Sequence, residues 1–369
     1  MHLTLHLTNR CNLNCKYCFV ELGPERMSKE VALAAVKFGM VDKQAFGLLF
    51  YGGEPLLERQ LIYDVVDYTQ GIKKETGHAF YYKMTTNGVL LDEDFLKFSK
   101  EINLTIGFSY DGPAQDDSRV FPDGSGSTEI IKDKIPLLLS YQPYAIGMSV
   151  LDPLVVHKSS EMVAFLYEAG FRYITHNLNY AKGEPWTQEH LLILEREYRK
   201  MADMYLKWTR AESKFYLSPF DIKILSHLKG DRYIPDRRQM AWNQLSVGTD
   251  GKIYTSSRFV GDEFFAIGDV FTGIDYERQE FIYKKGEALL EPCLSCDLQK
   301  RCNYSYDSIC RKGNEIVTEI EAIQCAHEQL IARIADGVAE TLYKERSALF
   351  IHKHYNDMYP VVSLVEDRG

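Results

Sequence analysis

The chain has 369 residues, which is long enough for two domains or for one barrel with an extension. Its formal net charge of −9 argues against nucleic acid as the main partner. No apolar stretch reaches the length of a membrane span, and residues 1–10 lack the pattern of a signal peptide. We therefore expect a cytoplasmic protein without a membrane partner.

The first half of the chain alternates short apolar or β-branched runs with helical patterns. Six strands are predicted, at 2–8, 47–51, 80–86, 103–110, 145–151 and 172–178. Helices are predicted between them at 28–42, 57–75, 92–101, 128–141 and 157–169, with Ser28 as an N-cap and Gly170 as a stop. This alternation indicates an α/β fold with a parallel sheet, and we interpret it as an open, partial (β/α)6 TIM-like barrel.

The alternation stops after Tyr180. Next we expect a long helix at 187–213, a shorter one at 218–229, and a hairpin at 245–256 around a Gly-Thr-Asp-Gly turn. The predicted domains are a barrel at 1–185, a helical bridge at 186–240, a cysteine-rich domain at 241–335 and a tail at 336–369. His352 and His354 in the tail could ligate a metal, but a packing role is the better interpretation without further ligands.

The eight cysteines fall into two groups, and in a reducing compartment such groups indicate metal rather than disulfides. Cys11, Cys15 and Cys18 have the spacing C-x3-C-x2-C and follow the first predicted strand directly. Three thiolates on one loop can bind three irons of a 4Fe-4S cluster and leave the fourth iron open to substrate. Structural zinc needs four protein ligands, and no fourth is nearby. A disulfide interpretation fails on the odd number of cysteines.

The loop at 9–19, with the aromatic Tyr17 before its last cysteine, resembles the cluster-binding loop of the radical S-adenosylmethionine (SAM) superfamily. The resemblance implies that Cys11, Cys15 and Cys18 are the catalytic cluster ligands and that the open iron chelates SAM. It also implies that SAM is cleaved to a 5′-deoxyadenosyl radical, which abstracts a hydrogen atom. Further motifs follow in the family's order, a Gly-Gly-Glu-Pro segment at 52–55 and then segments at 83–88, 105–113 and 173–178.

Each of these segments alone would be interpreted as a turn or a loop, whereas their ordered combination points to the family. In the family, the Gly-Gly-Glu-Pro motif meets the SAM amino group. Adjacent glycines let backbone approach a ligand closely. Ser109 and Arg119 are the expected carboxylate partners, because the planar fork of arginine matches a carboxylate. The SAM contacts implied by the resemblance are Tyr17, Gly52, Gly53, Glu54, Asn87, Ser109, Asp111, Arg119 and Leu178. Tyr110, Asp111 and Tyr180 could also line a substrate cavity.

The second group, Cys293-x2-Cys296-x5-Cys302-x7-Cys310-x14-Cys325, lies in a polar stretch that indicates organisation by metal. On ligand type alone, zinc remains a competitor. The C-x2-C-x5-C core resembles the SPASM extension of radical SAM peptide maturases, which binds auxiliary 4Fe-4S clusters. Ser256 stands where that extension has a cysteine, and no cysteine occurs between 230 and 250. The resemblance therefore implies one auxiliary cluster, held by Cys293, Cys296, Cys302 and Cys325, with Cys310 spare or an alternative ligand.

These resemblances imply an oxidoreductase that matures a ribosomally synthesised peptide by hydrogen abstraction and forms a thioether or carbon–carbon cross-link. The implied partners are a precursor peptide and a reductant such as flavodoxin or ferredoxin. The first strand begins at residue 2 and leaves no room for a winged-helix leader-recognition domain. Leader binding would then come from a separate protein or from the barrel and extension.

Two alternatives stay open. One is formylglycine formation of the anaerobic sulfatase-maturase kind, against which Ser256 and Ser257 count, because that branch has a carboxylate beside the hairpin cysteine. The other is a non-catalytic iron–sulfur electron-transfer protein, against which the segment at 52–54 and Arg119 count.

Overall fold

In the computed structural model, the structure describes residues 1–40, 45–180, 185–230, 242–287, 290–302, 309–313 and 315–359. The end of the predicted helix at 28–42, the end of the predicted bridge and the last ten residues of the predicted tail lie outside these ranges. Within the described ranges, no helix combines the length and apolarity needed to cross a bilayer.

Among the residues that the structure describes, the centre of the protein is a mixed sheet of eleven strands. The six predicted strands are present as β1 His2–Thr8, β3 Phe46–Gly52, β4 Phe80–Thr86, β5 Thr105–Ser109, β7 Ile146–Leu151 and β8 Tyr173–Leu178. Five further strands extend the sheet: β9 Tyr216–Leu217, β10 Gln244–Val247, β11 Lys252–Tyr254, β12 Ala266–Asp269 and β13 Gly273–Ile274. Two small pairs lie outside it, β2 Asn14–Cys15 with β6 Arg119–Val120, and β14 Ile309–Lys312 with β15 Glu315–Thr318.

Eight of the sheet's strands run parallel, in the order β10, β1, β3, β4, β5, β7, β8, β9. The α/β class and the partial barrel are therefore confirmed. The carboxyl ends of parallel strands share one edge of a sheet, which is where loops can gather into a site. The loops after β1, β3, β4, β5 and β8 carry the predicted site residues to that edge.

The predicted hairpin is present, and it adds to the central sheet. β10 pairs in parallel with β1, with Leu3 opposite Leu245 and Leu5 opposite Val247. β11, β12 and β13 then continue the sheet in antiparallel pairs. A segment more than two hundred residues from β1 in sequence thus lies beside the strand that leads into the first cysteine loop. The domain boundaries predicted from the sequence stay a prediction.

The helices pack on the sheet and on one another. They are α1 Lys29–Gly39, α2 Arg59–Thr76, α3 Glu93–Glu101, α4 Gln115–Ser118, α5 Thr128–Ile131, α6 Lys134–Tyr141, α7 Ser159–Glu168, α8 Gln188–Arg210, α9 Ser218–Lys229, α10 Tyr276–Glu287, α11 Glu291–Leu294, α12 Ala322–Lys344 and α13 Ala348–Tyr355. Ser28 caps α1 as predicted, because its hydroxyl accepts a hydrogen bond from the Val31 N–H at 3.1 Å.

Two predicted elements differ from the structure. The helix predicted at 128–141 is divided into α5 and α6, and Pro136 lies in the first turn of α6. Proline lacks an N–H and clashes with the preceding turn, so a helix has to restart just before it. The strand predicted at 103–110 begins only at Thr105, because Asn103 has a left-handed φ of 55° that ends the preceding turn.

The core lies between the sheet and its helices. Leu3, Leu5 and Leu7 alternate along β1 and are fully buried, as the strand period of two requires. Each such leucine stabilises the fold by about 1.5–3 kcal/mol. On the far side, α12 packs against α8 and α9. One face of α8 is buried at Leu194, Tyr198, Met201 and Tyr205.

Candidate active site

The first cysteine loop leaves the carboxyl end of β1 and is held by the short β2–β6 pair. Cys15 is the backbone partner of Arg119, and the Lys16 N–H donates to the Ser118 carbonyl at 2.9 Å. A tight turn then brings the Cys18 N–H to 3.1 Å from the Cys15 carbonyl. All three thiols are half-buried and unbridged, and their negative charges act on one another. The loop thus presents three thiols close together.

The two glycines at 52 and 53 allow this loop to lie directly on the end of β3. A Cβ on Gly52 would stand 2.4 Å from the Thr8 carbonyl oxygen, and one on Gly53 would stand 2.1 Å from the Arg10 carbonyl oxygen. Gly52 also has a φ of 124°, which L side chains rarely adopt. The close approach that was predicted toward a ligand is, in this structure, an approach to the backbone that leads into Cys11.

Glu54 is completely buried and connects the loops after β3 and β4. Its Oε1 accepts from the Leu56 N–H at 3.0 Å and from the Thr86 hydroxyl at 2.8 Å, and its Oε2 accepts from the Asn87 N–H at 2.8 Å. Burial raises the pKa of Glu54 to about 7, although these donors act in the opposite direction. The carboxylate that the resemblance assigns to SAM therefore also serves as a structural acceptor.

Asn87 extends the same connection to the cysteine loop. Its Nδ2 donates to Asn12 Oδ1 at 2.8 Å and lies 3.8 Å from the Cys11 sulfur. The Leu13 N–H donates to that sulfur at 3.5 Å. Two N–H groups are thus directed at Cys11, and the Leu13 N–H acts to lower the pKa of that thiol against the effect of burial.

Asp111 and Arg119 form a buried ion pair behind the loop. Arg119 Nε donates to Asp111 Oδ2 at 2.9 Å, and the Tyr17 hydroxyl donates to the same oxygen at 2.5 Å. The Val150 N–H donates to Asp111 Oδ1 at 2.9 Å. The guanidinium carbon lies 5.2 Å from the centroid of the Tyr17 ring. Three residues predicted as separate SAM contacts therefore contact one another.

The Cys11 and Cys15 thiols have different electrostatic surroundings. Burial raises the pKa of Cys11 to about 12, in spite of the Leu13 N–H. Burial also raises the pKa of Cys15, but the positive charge of Arg119 acts against it. Metal coordination requires thiolates and lowers thiol pKa values. The donor set of three thiols, approached by N–H groups and one guanidinium, fits a 4Fe-4S cluster.

One of the two remaining predicted contacts, Leu178, lines a cavity of about 590 Å³. Ser109 is buried at the end of β5, and Leu178 at the end of β8 is half-buried. The cavity wall includes Leu178 together with Phe19, which directly follows Cys18. The same cavity is also lined by residues from distant parts of the chain, namely Ser256, Ser257, Arg258, Cys310, Glu319, Glu321 and Gln324. The cysteine loop and the C-terminal region thus share one cavity.

Sequence reasoning missed three residues beside the loop. Tyr51 is half-buried, its ring stacks 6.3 Å from Phe19, and its edge contact with His6 is 5.2 Å between ring centroids. The charges of Cys18 and Cys15 act on Tyr51, so it lies near both thiols. Tyr51 precedes the Gly-Gly-Glu-Pro motif directly, and this adjacency was the available signal. His6 and Phe19 gave no comparable signal, because aromatic residues next to a strand or loop are common in cores.

The C-terminal cysteines lie apart from the first cysteine loop, and Cys310 lies in a different element from the other four. Cys293 lies in α11, Cys296 and Cys302 in the turns after it, and Cys325 in the first turn of α12. Burial raises the pKa of Cys325, and negative charge on Cys293 and Cys296 raises it further, so these three thiols are neighbours. Cys310 lies in β14, where its sulfur is 3.8 Å from Glu319 Oε2.

Across the described ranges, no three His, Cys, Asp or Glu side chains converge tightly enough to hold a single metal ion. Thiolates that bind different irons of a cluster need not converge on one point.

Comparisons with known proteins agree with this geometry. Residues 5–152 match the model of the radical SAM superfamily. The chain is 29% identical over 247 residues to the uncharacterised protein MJ0907 of Methanocaldococcus jannaschii, covering 63% of this chain and 84% of that protein. It is 26% identical over 181 residues to the cysteine-type anaerobic sulfatase-maturating enzyme of Clostridium novyi, covering 45% of this chain and 48% of the enzyme.

Two solved structures share the fold. Native anSMEcpe with bound AdoMet and Kp18Cys peptide superimposes with a TM-score of 0.79 at 17% identity, over 94% of this chain and all of that chain. Streptococcus suis SuiB bound to its precursor peptide SuiA superimposes with a TM-score of 0.56 at 16% identity, over 82% of this chain and 71% of that chain. The match to these SPASM-type enzymes extends over the C-terminal region as well as the barrel.

Proposed function

From the premise that residues 5–152 belong to the radical SAM superfamily, we propose that this protein is a radical SAM enzyme that modifies a ribosomally synthesised peptide. A reduced 4Fe-4S cluster held by Cys11, Cys15 and Cys18 would supply one electron to the sulfonium of bound SAM, and the carbon–sulfur cleavage that follows would provide the chemistry for removing a hydrogen atom from a peptide carbon. The bond that forms afterwards is a thioether or a carbon–carbon cross-link.

Cys11, Cys15 and Cys18 hold the cluster in this proposal, because they are the three thiols of one loop and N–H groups approach Cys11. The residues around them fix the loop. Glu54 joins it to the end of β4 through Thr86 and Asn87, and Asp111 joins it to β7 through Val150. These contacts hold the loop in one geometry, which precise positioning of a reactive group requires.

The observation that carries the proposal is the shared cavity. It is lined by Phe19 from the cysteine loop, by Leu178, a predicted SAM contact, and by residues of the C-terminal region. Its volume of about 590 Å³ is within the usual range for ligand sites. A side chain of a bound peptide would reach the cysteine loop and Cys310 from the same space. SuiB, which shares the fold, is bound to a precursor peptide in its structure.

Cys293, Cys296, Cys302 and Cys325 hold one auxiliary 4Fe-4S cluster in this proposal. The proximity of Cys325 to Cys293 and Cys296 supports that set, and the position of Cys310 in the cavity wall leaves it outside. The cluster would accept an electron from the modified peptide. The proposed partners are the precursor peptide, a flavodoxin- or ferredoxin-type reductant and a leader-binding protein.

Formylglycine formation is the second candidate, and one observation favours it. No carboxylate stands beside Ser256 in sequence, but Glu319 and Glu321 line the same cavity from the short connection between β15 and α12. A carboxylate there could accept a proton from an oxidised cysteine or serine of a substrate peptide. The C. novyi relative is a sulfatase-maturating enzyme.

The test is anaerobic reconstitution with iron and sulfide, followed by SAM and dithionite. We expect 5′-deoxyadenosine from the native chain and none from a Cys11→Ala, Cys15→Ala, Cys18→Ala variant. A candidate precursor peptide should then lose a pair of hydrogens per cross-link by mass spectrometry, whereas a hydrazide-reactive aldehyde would indicate formylglycine. Absence of 5′-deoxyadenosine from the native chain with its clusters loaded would reject both enzymatic candidates in favour of electron transfer.

A further inference from the structure

The backbone fixes Arg119 opposite Cys15. The two residues are register partners in the β2–β6 pair, and the Lys16 to Ser118 hydrogen bond of 2.9 Å flanks them. Arg119 is 7% exposed, so its charge is poorly screened by water. The position of this cation beside one particular thiol is therefore a property of the fold rather than of a mobile side chain.

The ion pair between Arg119 and Asp111 has a defined orientation relative to the cysteine loop. The guanidinium lies beside the Cys15 thiol on one side and over the Tyr17 ring on the other. Its carboxylate partner, Asp111, is fully buried and is held by the Tyr17 hydroxyl and the Val150 N–H. The Arg119 Nε, which was expected to serve the SAM carboxylate, already donates to Asp111 at 2.9 Å. Of the two charges, that of Arg119 acts more strongly on the Cys15 thiol than that of Asp111.

We propose that Arg119 is a positioning residue that raises the reduction potential of the cluster held by Cys11, Cys15 and Cys18, and that Asp111 opposes it. The inference rests on the proposed function. One-electron reduction adds a negative charge to the cluster, and a buried cation beside a ligating sulfur stabilises that charge. A buried carboxylate behind the cation destabilises it. The pair thus sets how readily an external one-electron reductant can reduce the cluster.

The expected effects of Arg119 and Asp111 on the reduction potential have opposite signs, and this distinguishes an electrostatic role from a purely structural one. Removing either residue loosens the same loop, so a packing defect would move the potential in one direction in both variants. Arg119→Gln removes a positive charge and lowers the potential. Asp111→Asn removes a negative charge and raises it. Arg26→Gln is the matched control, because Arg26 lies on the same connection after the loop but is more than half exposed.

The experiment is a dithionite titration followed by electron paramagnetic resonance without SAM. All variants carry Cys293→Ala and Cys296→Ala, so that only the first loop contributes a cluster signal. At a fixed solution potential, we expect Arg119→Gln to reduce the ratio of reduced to oxidised cluster about tenfold, which is about 59 mV. Asp111→Asn should increase the ratio, and Arg26→Gln should leave it unchanged.

Shifts of the same sign in the two variants, or no shift in either, would overturn the inference. If the Arg119→Gln protein does not bind a cluster, the Asp111→Asn measurement alone decides. A ratio of reduced to oxidised cluster in Asp111→Asn that equals or falls below that of the parent protein would then contradict the inference. Arg119→Lys, which keeps the charge, should restore at least half of the shift. If the native protein cleaves SAM but both variants shift the reduction potential in the same direction, only this inference is rejected. If the two variants shift the potential in opposite directions but the native protein does not cleave SAM, only the proposed function is rejected.

Discussion

The carboxylate of Glu54 accepts a hydrogen bond from the backbone N–H of Asn87 at 2.8 Å, and this contact joins the loop after β3 to the loop after β4. The same carboxylate takes the Thr86 hydroxyl at 2.8 Å and the Leu56 N–H at 3.0 Å. Three donors therefore depend on one buried acid group.

Glu54→Gln should destabilise the fold by about 1–3 kcal/mol, because the new NH₂ group faces a donor and leaves at least one buried N–H unsatisfied. Urea unfolding of the cluster-free protein measures this loss. Glu75→Gln, an exposed change in α2, is the control and should alter the free energy of unfolding by less than about 0.5 kcal/mol. Equal stability of the two variants would contradict the structural role of Glu54.

The buried Glu54 should also make stability depend on pH. Burial raises its pKa to about 7 from an ordinary value of 4.5, so the folded state binds the proton more tightly. Its contribution is fully present below pH 4.5 and is lost as pH rises through 7. The free energy of unfolding of the native chain, relative to Glu54→Gln, should fall across this window by at most about 1.4 kcal/mol per pH unit. A flat difference curve would show that Glu54 titrates normally.

Gly53→Ala should displace the cysteine loop, because the new Cβ would lie 2.1 Å from the Arg10 carbonyl oxygen. We expect a loss of about 1–3 kcal/mol and a lower iron content after reconstitution. Gly71→Ala is the matched control, since nothing lies within 4 Å of its Cβ position in helix α2. That change should stabilise the helix by about 0.5–1 kcal/mol. Full cluster loading in Gly53→Ala would refute the close-approach argument.

Cys325→Ala and Cys310→Ala should differ in iron content. Cys325 lies near Cys293 and Cys296, whereas the charged groups that act on Cys310 are Glu319, Lys312 and Arg258. With two clusters in the native chain, we expect iron to fall from about eight to about four per chain in Cys325→Ala and to stay near eight in Cys310→Ala. The reverse result would make Cys310 the fourth auxiliary ligand.

Lys353→Met should detach α13 from the helices beneath it. Lys353 Nζ lies 2.6 Å from Asp221 Oδ1, and both side chains are buried. Burial acts to raise the pKa of Asp221, but the charges and hydrogen bonds of Lys353 and His354 together outweigh it and hold that pKa below its ordinary value. Removal of the Lys353 charge from this buried carboxylate, which keeps the Tyr205 hydroxyl and the Leu217 N–H as donors, should cost about 3–5 kcal/mol, visible as a lower Tm. Lys344→Met, which breaks only the exposed pair with Glu340, should change stability by about 0–1 kcal/mol.

Local patterns were enough to predict the barrel strands. Leu3, Leu5 and Leu7 alternate with polar residues, and that period is a property of neighbouring residues. The division of the helix at 128–141 could also have been anticipated, because Pro136 is visible in the sequence. The motifs at 9–19 and 52–55 showed which segments to examine, and the structure brings them into contact.

The partners within the site could not be predicted. The resemblance assigned Tyr17, Asp111 and Arg119 to SAM, whereas the structure joins them to one another; their roles toward SAM stay predictions. Nothing in the residues at 105–113 reveals that β6 will pair with β2 and place Arg119 beside Cys15. Such pairing depends on two loops meeting at the same sheet edge.

The sequence by itself determined the strand and helix pattern, the spacing of the three thiols and the glycines that permit close backbone contact, because each depends on residues near one another in the chain. Only the tertiary structure decided that β10 lies beside β1 and that Cys325 rather than Cys310 is the neighbour of Cys293. It also decided that Arg119 forms an ion pair with Asp111. These contacts join residues from separate segments, and their free energy is gained only when the whole sheet brings those segments together.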